Sequence, residues 1–322
     1  MFWNPSLRQW LVLASLFTFL PLAAAQEPKP DAPANNEVHV EMKNVAYHFS
    51  DQFAVRIIHL QGKLLPTTPG EVPVFDNPSS FTLAVESAQI AIPTDSLAYV
   101  LNNHAFARKD APVKDISIQT KGDKLVVKGK LASKGDMPFE SLAAVSLDES
   151  GEVRLHMAEV KAAHLPVKGL MDLLGIDVAD LISTKKVQGV RTEKDDLLID
   201  PQRILPAPAI QGTLSNIQVR GDELVQTFGP APAAFRNQSG NYMAYWGGTI
   251  TFGKLTMKDA DLVLVDMDPR DAFDFSLDRY KEQLVAGYTK TTEDFGLRAY
   301  TKDLNKLQPA PAAARGKSKK KQ

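Results

Sequence analysis

The chain has 322 residues, 37 Lys and Arg against 38 Asp and Glu, 44% apolar side chains and no cysteine. A near-neutral balance argues against nucleic acid as a partner, because binding a phosphate backbone calls for a basic excess. Without Cys there is no disulfide framework and no thiol nucleophile, so stability must come from a packed core, and this length supplies one large domain or two modest ones.

Residues 1–25 read as an export signal. Arg8 supplies the positive charge, Trp10 to Leu22 is apolar apart from Ser15 and Thr18, and Ala23-Ala24-Ala25 gives the small residues of an A-x-A cleavage site. The apolar run is short of the roughly 20 residues a spanning helix needs. Cleavage is expected between Ala25 and Gln26, with no Cys after it to carry a lipid. The expected location is therefore the periplasm or the medium.

Residues 26–36, rich in Pro, Ala and Asn, read as a disordered linker. From Val38 the apolar period is two, through Val40 and Met42. The phase flips at Lys43-Asn44, and Val45, Tyr47 and Phe49 continue. A flip of that kind is a bulge or a bend within a long strand. Phe53, Val55 and Ile57 follow a turn at Ser50-Asp51, and Ile58 and Leu60 are again out of phase. Thr67 to Ser80 is a Pro-containing loop, after which Phe81, Leu83 and Val85 lead a strand to Ile92. Thr94 or Asp95 is expected to cap a helix carrying Leu97, Val100 and Leu101 on one face.

Two hairpins come next, turning at Lys121-Gly122-Asp123 and at Glu149-Ser150-Gly151. From Pro166, a residue suited to the first helical turn, Val167, Leu170, Met171, Leu174, Val178, Leu181 and Ile182 keep a helical spacing. Asp172, Asp177 and Asp180 occupy the polar side. A helix lying on a bilayer would want Lys and Arg there, so this one is expected to pack against the sheet. Leu197 to Ile199 is a strand, Ile204 to Pro208 a corner, and Ile210 to Phe228 an extended pair split at Gly221-Asp222. Gly229 to Gly240 reads as a boundary loop. Leu262 to Val265 is a further strand, and Ser276 to Gly287 a short helix with Leu277, Tyr280 and Leu284 inward. Gln308 to Gln322 ends in a basic cluster from Arg315 to Lys321 and is expected to be disordered. The expected organisation is a signal at 1–25, a linker at 26–36, a β-rich domain at 37–229, a β-hairpin plus helix extension at 241–307 packing on it, and a basic tail at 308–322.

The run Ile92-Pro93, Leu101-Asn102, Lys121-Gly122-Asp123, Met137-Pro138-Phe139, Gly151-Glu152-Val153-Arg154-Leu155, then Asp200-Pro201 and Leu205-Pro206, resembles the LmeA-like phospholipid-binding proteins of bacterial envelopes. These are distantly similar to tubular lipid-binding domains, and the resemblance spans about residues 80–229. It implies a tubular-lipid-binding-like fold, with a groove for acyl chains, but no ligand motif to carry over. The expected class is α+β: a long curved antiparallel β-sheet packed on a few amphipathic helices.

Motifs for chemistry are few. Six histidines (His39, His48, His59, His104, His156 and His164) stand singly, without H-E-x-x-H or H-x-H spacing. No G-x-S-x-G elbow occurs, and a triad assembled from distant segments is left open. Asp266, Asp268, Asp271 and Asp274 fit either a calcium-ligating run or a turn and helix cap. They lack the Gly and Glu of an EF-hand, which favours the turn. Tyr242, Tyr245 and Trp246 form the densest aromatic cluster, for core packing or, as the alternative, a groove rim or carbohydrate contact. Asn237-Gln238-Ser239 matches a glycosylation acceptor and is discounted in a bacterial-type export context.

The expected function is non-enzymatic binding of a phospholipid or other hydrophobic small molecule, with no cofactor. Leu97, Leu101, Leu170, Met171, Leu174 and Val178 are the expected groove residues. Lys124, Lys128 and Lys130, on one strand face, and Lys319, Lys320 and Lys321 in the tail are candidates for peripheral contact with an anionic membrane. Solvated, edge-protecting lysines are the alternative, and a ligand-free structural or interaction module is the alternative function.

Overall fold

In the computed structural model, the described residues are 37–132, 135–162, 165–166, 179, 187, 189–236 and 240–307. The signal, the linker, the tail with Lys319, Lys320 and Lys321, the acceptor Asn237-Gln238-Ser239, and Leu170, Met171, Leu174 and Val178 of the expected helix lie outside them.

Strands dominate. In chain order they are β1 (Val38–Ser50), β2 (Phe53–Pro66), β3 (Phe81–Pro93), β4 (Val113–Lys121), β5 (Lys124–Leu131), β6 (Met137–Leu147), β7 (Val153–Ala162), β8 (Leu165–Pro166) and β9 (Val190–Glu193). They continue with β10 (Asp196–Ile199), β11 (Ala209–Gln211), β12 (Leu214–Arg220), β13 (Glu223–Phe228), β14 (Tyr242–Phe252), β15 (Leu255–Asp266), β16 (Phe273–Ser276), β17 (Tyr288–Thr291) and β18 (Leu297–Thr301). Among the described residues, the helices whose ends are both described are short: α1 (Thr94–Val100), α2 (Pro201–Ile204) and α3 (Tyr280–Val285).

The strands form two open sheets. The larger runs β12-β13-β3-β2-β1-β14-β15-β18-β17, with β11 on β3 and β16 on β1. The smaller runs β4-β5-β6-β7-β10-β9, with β8 on β7. The fold is thus β-rich α+β. It departs from the single antiparallel sheet expected: there are two sheets, and β1–β16, β3–β11 and β15–β18 pair in parallel. Sequence periodicity reports which residues are strand, not which strands become neighbours. Residues 241–307 supply five strands to the larger sheet, and β14 pairs directly with β1.

The phase flip in β1 has a definite cause. Val38, Val40 and Met42 are buried, then Val45 and Tyr47, because Asn44 takes a left-handed φ of 51° and shifts the alternation. Here β1 changes neighbour, from Lys43 opposite Tyr242 to Val45 opposite Phe273. The Asn44 Nδ2 donates to Asn241 Oδ1 at 2.9 Å and ties the junction. In β2, Ile58 is the extra residue against β3, and Glu86 is the extra residue of β3 nearby. Such bulges bend and twist the strands that carry them. Beside the second bulge Gly62 is required, since a Cβ there would run into the carbonyl oxygen of Ala84.

Some local expectations are corrected. Neither Thr94 nor Asp95 caps α1. Pro93 is the N-cap, and the Thr94 N–H is satisfied from outside the helix by Asp222 O at 3.0 Å. Pro166 sits in β8 rather than in a first helical turn. The last helix is shorter than Ser276 to Gly287, and it buries Tyr280 and Gln283. Both sheets contribute to one hydrophobic core, which α1 joins through Leu97 and Val100.

Candidate functional site

The core face of the larger sheet carries an apolar groove. β1 contributes Met42, Tyr47 and Phe49, β2 contributes Ile57, Leu60 and Leu64, and Leu83 and Tyr245 extend the floor onto β3 and β14. Phe75 and Pro78 of the loop 67–80, Phe81 at the start of β3, and Pro208 of the proline corner roof it. The floor exists because alternate residues of these strands point to one side, and the β1 junction keeps Tyr47 and Phe49 on the same side as Met42. Among the described residues no charged or amide side chain lines the groove. Its two phenols, Tyr47 and Tyr245, are pushed far above the ordinary phenol range by burial, with Asp278 adding to the effect on Tyr47. Both stay neutral at any physiological pH. The free cavity is about 60 Å³.

Aromatic rings continue the groove at one end. Phe75 packs edge-on against Tyr245, Phe252, Phe275 and Tyr280, with centroids 4.7–6.0 Å apart. Tyr47 joins Phe275 to Phe49, which stacks on Phe53 at 5.0 Å. Of these, the sequence pattern marks Tyr47, Phe49 and Phe53 as strand but places Phe75 in a loop and Tyr280 in a helix, and nothing in it marks them as one surface.

The residues singled out from the sequence are placed as follows. Leu97 (9% exposed) and Leu101 (4%) are buried on α1 and the π-turn Leu101–Ala105 that extends it. They do not line the groove just described. Lys128 and Lys130 project from β5, where Lys128 pairs with Glu140 at 3.3 Å and Lys130 with Asp115 at 2.7 Å. Lys161 also reaches Glu140, at 3.5 Å. These groups frame a shallow trough of about 280 Å³ over Gly129, Pro138 and Phe139. Lys124 lies outside the trough, opposite Lys121 and Ala144.

The aromatic cluster is divided by strand alternation. Tyr245 faces the groove, whereas Tyr242 and Trp246 are on the outer face, beside Glu41 and His39. That outer face is crossed by residues 229–236. Glu41, 2% exposed, accepts from Tyr242 Oη at 2.6 Å, Gln61 Nε2 at 2.9 Å and the Arg236 N–H at 3.0 Å. Gln61 Oε1 accepts from the Ala233 N–H, and the Ser87 hydroxyl donates to Pro230 O. Arg236 lies 4.4 Å over the Trp246 ring, and His39 stacks on that ring.

The four aspartates diverge. Asp266 accepts from Asn241 Nδ2 and from the Asp268 N–H, and its burial raises its pKa. Asp268 pairs with Arg270 and Lys306, and the hydrogen bonds from these two cations hold its carboxyl well below the ordinary range. Asp274 is in β16, not at a helix start, and pairs with His48 at 2.7 Å. Among the described residues no three His, Asp or Glu side chains are grouped to hold a metal ion. His59 Nε2 lies 3.5 Å from Ser87 Oγ, but that hydroxyl is committed to Pro230 O, which leaves the contact without the geometry of an activated nucleophile.

Comparison with family models, curated proteins and solved structures returns no match to this chain.

Proposed function

We propose that the protein is an exported, non-enzymatic binder of a phospholipid or other hydrophobic ligand, with a tubular-lipid-binding-like use of its curved sheet in envelope lipid handling. The observation that carries this reading is the groove on β1, β2, β3 and β14, walled by apolar and aromatic side chains and without a charged group. Ligand sites for apolar molecules are concave and predominantly hydrophobic. The resemblance to LmeA-like proteins is a separate support, because the groove residues lie mostly before residue 80 and the resemblance covers residues 80–229. Lys124, Lys128, Lys130 and the basic tail are the proposed points of attraction to anionic head groups, with the charges of Lys128 and Lys130 offset by Glu140 and Asp115.

A second reading, a ligand-free structural module, is favoured by one specific observation. A free volume of about 60 Å³ is well below the roughly 300 Å³ at which ligand pockets begin. Native mass spectrometry of protein purified without delipidation separates the two. A 1:1 phospholipid or fatty-acid adduct, lost in Leu60→Trp, is expected for the binder. A bare polypeptide mass, unchanged after incubation with lipid vesicles, would support the module and overturn the first reading.

A further inference from the structure

We infer that residues 67–80 are the lid of this groove, and that what enters beneath it is the hydrocarbon chain of a ligand whose polar group stays outside. The inference rests on the groove being a binding site. It begins with volume. A free space of about 60 Å³ has room for about four to six waters, at about 10–15 Å³ for each. An acyl chain does not fit without movement, so part of the lining has to yield.

Most of the lining cannot yield. Met42, Tyr47, Ile57, Leu60 and Tyr245 sit on central strands whose backbone is bonded on both sides. Phe75 and Pro78 belong instead to a segment joined to the sheet at a few points. Its ends are tied by the Thr67 N–H to Ser80 O at 2.9 Å. Its middle is held by a single parallel bridge between Val74 and Thr251. There the Phe75 N–H donates to Thr251 O at 2.8 Å and the Thr251 N–H donates to Pro73 O at 2.9 Å. A side-chain latch completes it: Asp76 accepts from Tyr280 Oη at 2.8 Å and pairs with Lys281 at 3.4 Å. Phe75, 4% exposed, is the side chain this bridge and latch hold over the groove. Lifting the loop withdraws the ring and opens its volume to a chain.

The chemistry of the lining sets the ligand class. With no charge and no amide among its described lining residues and two phenols held neutral, the groove offers nothing to compensate a desolvated head group. Only hydrocarbon is accepted, and the carboxyl or phosphate end is not read.

The test locks and loosens the lid in a chain that has no other cysteine. Bridged partners on neighbouring strands lie about 4.8 Å apart, within disulfide reach. Val74→Cys with Thr251→Cys should therefore close the lid on oxidation, and its reduced form is the folding control. Tyr280→Phe keeps the ring and removes the latch bond. The probe is cis-parinaric acid, a fluorescent fatty acid, followed by stopped flow. The expected results are uptake at least tenfold slower in the oxidised protein than in its reduced form, and severalfold faster in Tyr280→Phe than in the unaltered chain. The methyl ester should bind within about threefold of the acid. Equal rates for the oxidised and reduced forms would overturn the lid and leave the groove standing. A tenfold loss with the ester would overturn the hydrocarbon-only class. Failure of every form to take up the probe would overturn the binding reading, and the lid with it.

Discussion

Glu41 is a carboxylate buried on the outer face of β1, and its three donors come from β2, β14 and the crossing segment 229–236. Removing it takes the acceptor from the Tyr242 phenol and the Arg236 N–H, while Gln61 Nε2 keeps a second acceptor in Ala233 O at 3.2 Å, and each buried group left unsatisfied costs about 1–3 kcal/mol. Glu41→Ala is therefore expected to lower stability by about 2–4 kcal/mol, read from urea midpoints, with Glu41→Gln intermediate. A change under about 0.5 kcal/mol would mean that the segment does not depend on this residue. His59, nearby on the same face, contacts Phe235 ring to edge at 6.3 Å. Burial holds its pKa below the ordinary 6.5. The sign follows directly: above about pH 7 both folded and unfolded forms are neutral, and nothing is lost. As pH falls through the unfolded value of about 6.5, the unfolded chain takes up the proton first, and stability drops until the folded imidazole also titrates. Urea midpoints at pH 7.5 and pH 5.0 should therefore diverge more in the unaltered protein than in His59→Gln. Equal losses in the two proteins would remove His59 from the account.

Elements show how far local pattern carries. The irregularities of β1 and β2 were legible, because with a side-chain period of two a shift shows as two adjacent residues of one kind, polar Lys43-Asn44 in β1 and apolar Ile57-Ile58 in β2. Asn44 and Ile58 mark those positions. The β4–β5 and β6–β7 hairpins were equally plain from their turns. The cap of α1 was not legible, since the group that satisfies its first N–H is a carbonyl in a turn more than a hundred residues away. The strand lysines illustrate the same limit. A row of Lys on β5 reads as free positive charge, yet Asp115 and Glu140 arrive on β4 and β6 to pair with two of them. Exposed pairs of this kind are screened by solvent and contribute little to stability, so they neutralise the face more than they stabilise it.

At the scale of the whole molecule, the paired lysines shift the expected membrane attraction toward the basic cluster from Arg315 to Lys321. Each Lys near an anionic surface adds about 1 kcal/mol, screened by salt. Deleting residues 313–322 should abolish co-sedimentation with anionic vesicles at low salt, while binding to neutral vesicles is weak throughout. Undiminished sedimentation of the truncated chain would move the tether to Lys124, Lys128 and Lys130. The sequence by itself determined the strand content, the apolar face of most strands and the places where a face changes side, because these depend on side-chain alternation within a few residues. It also set the near-neutral charge and the absence of thiol chemistry. Only the tertiary structure decided that residues 241–307 share a sheet with residues 38–93, and that Tyr245 turns to the groove while Tyr242 and Trp246 turn to the back. It alone placed Phe75 as a roof over Met42 and Leu60. Strand pairing across two hundred residues is chosen by the packing of the whole core, and no local period encodes it.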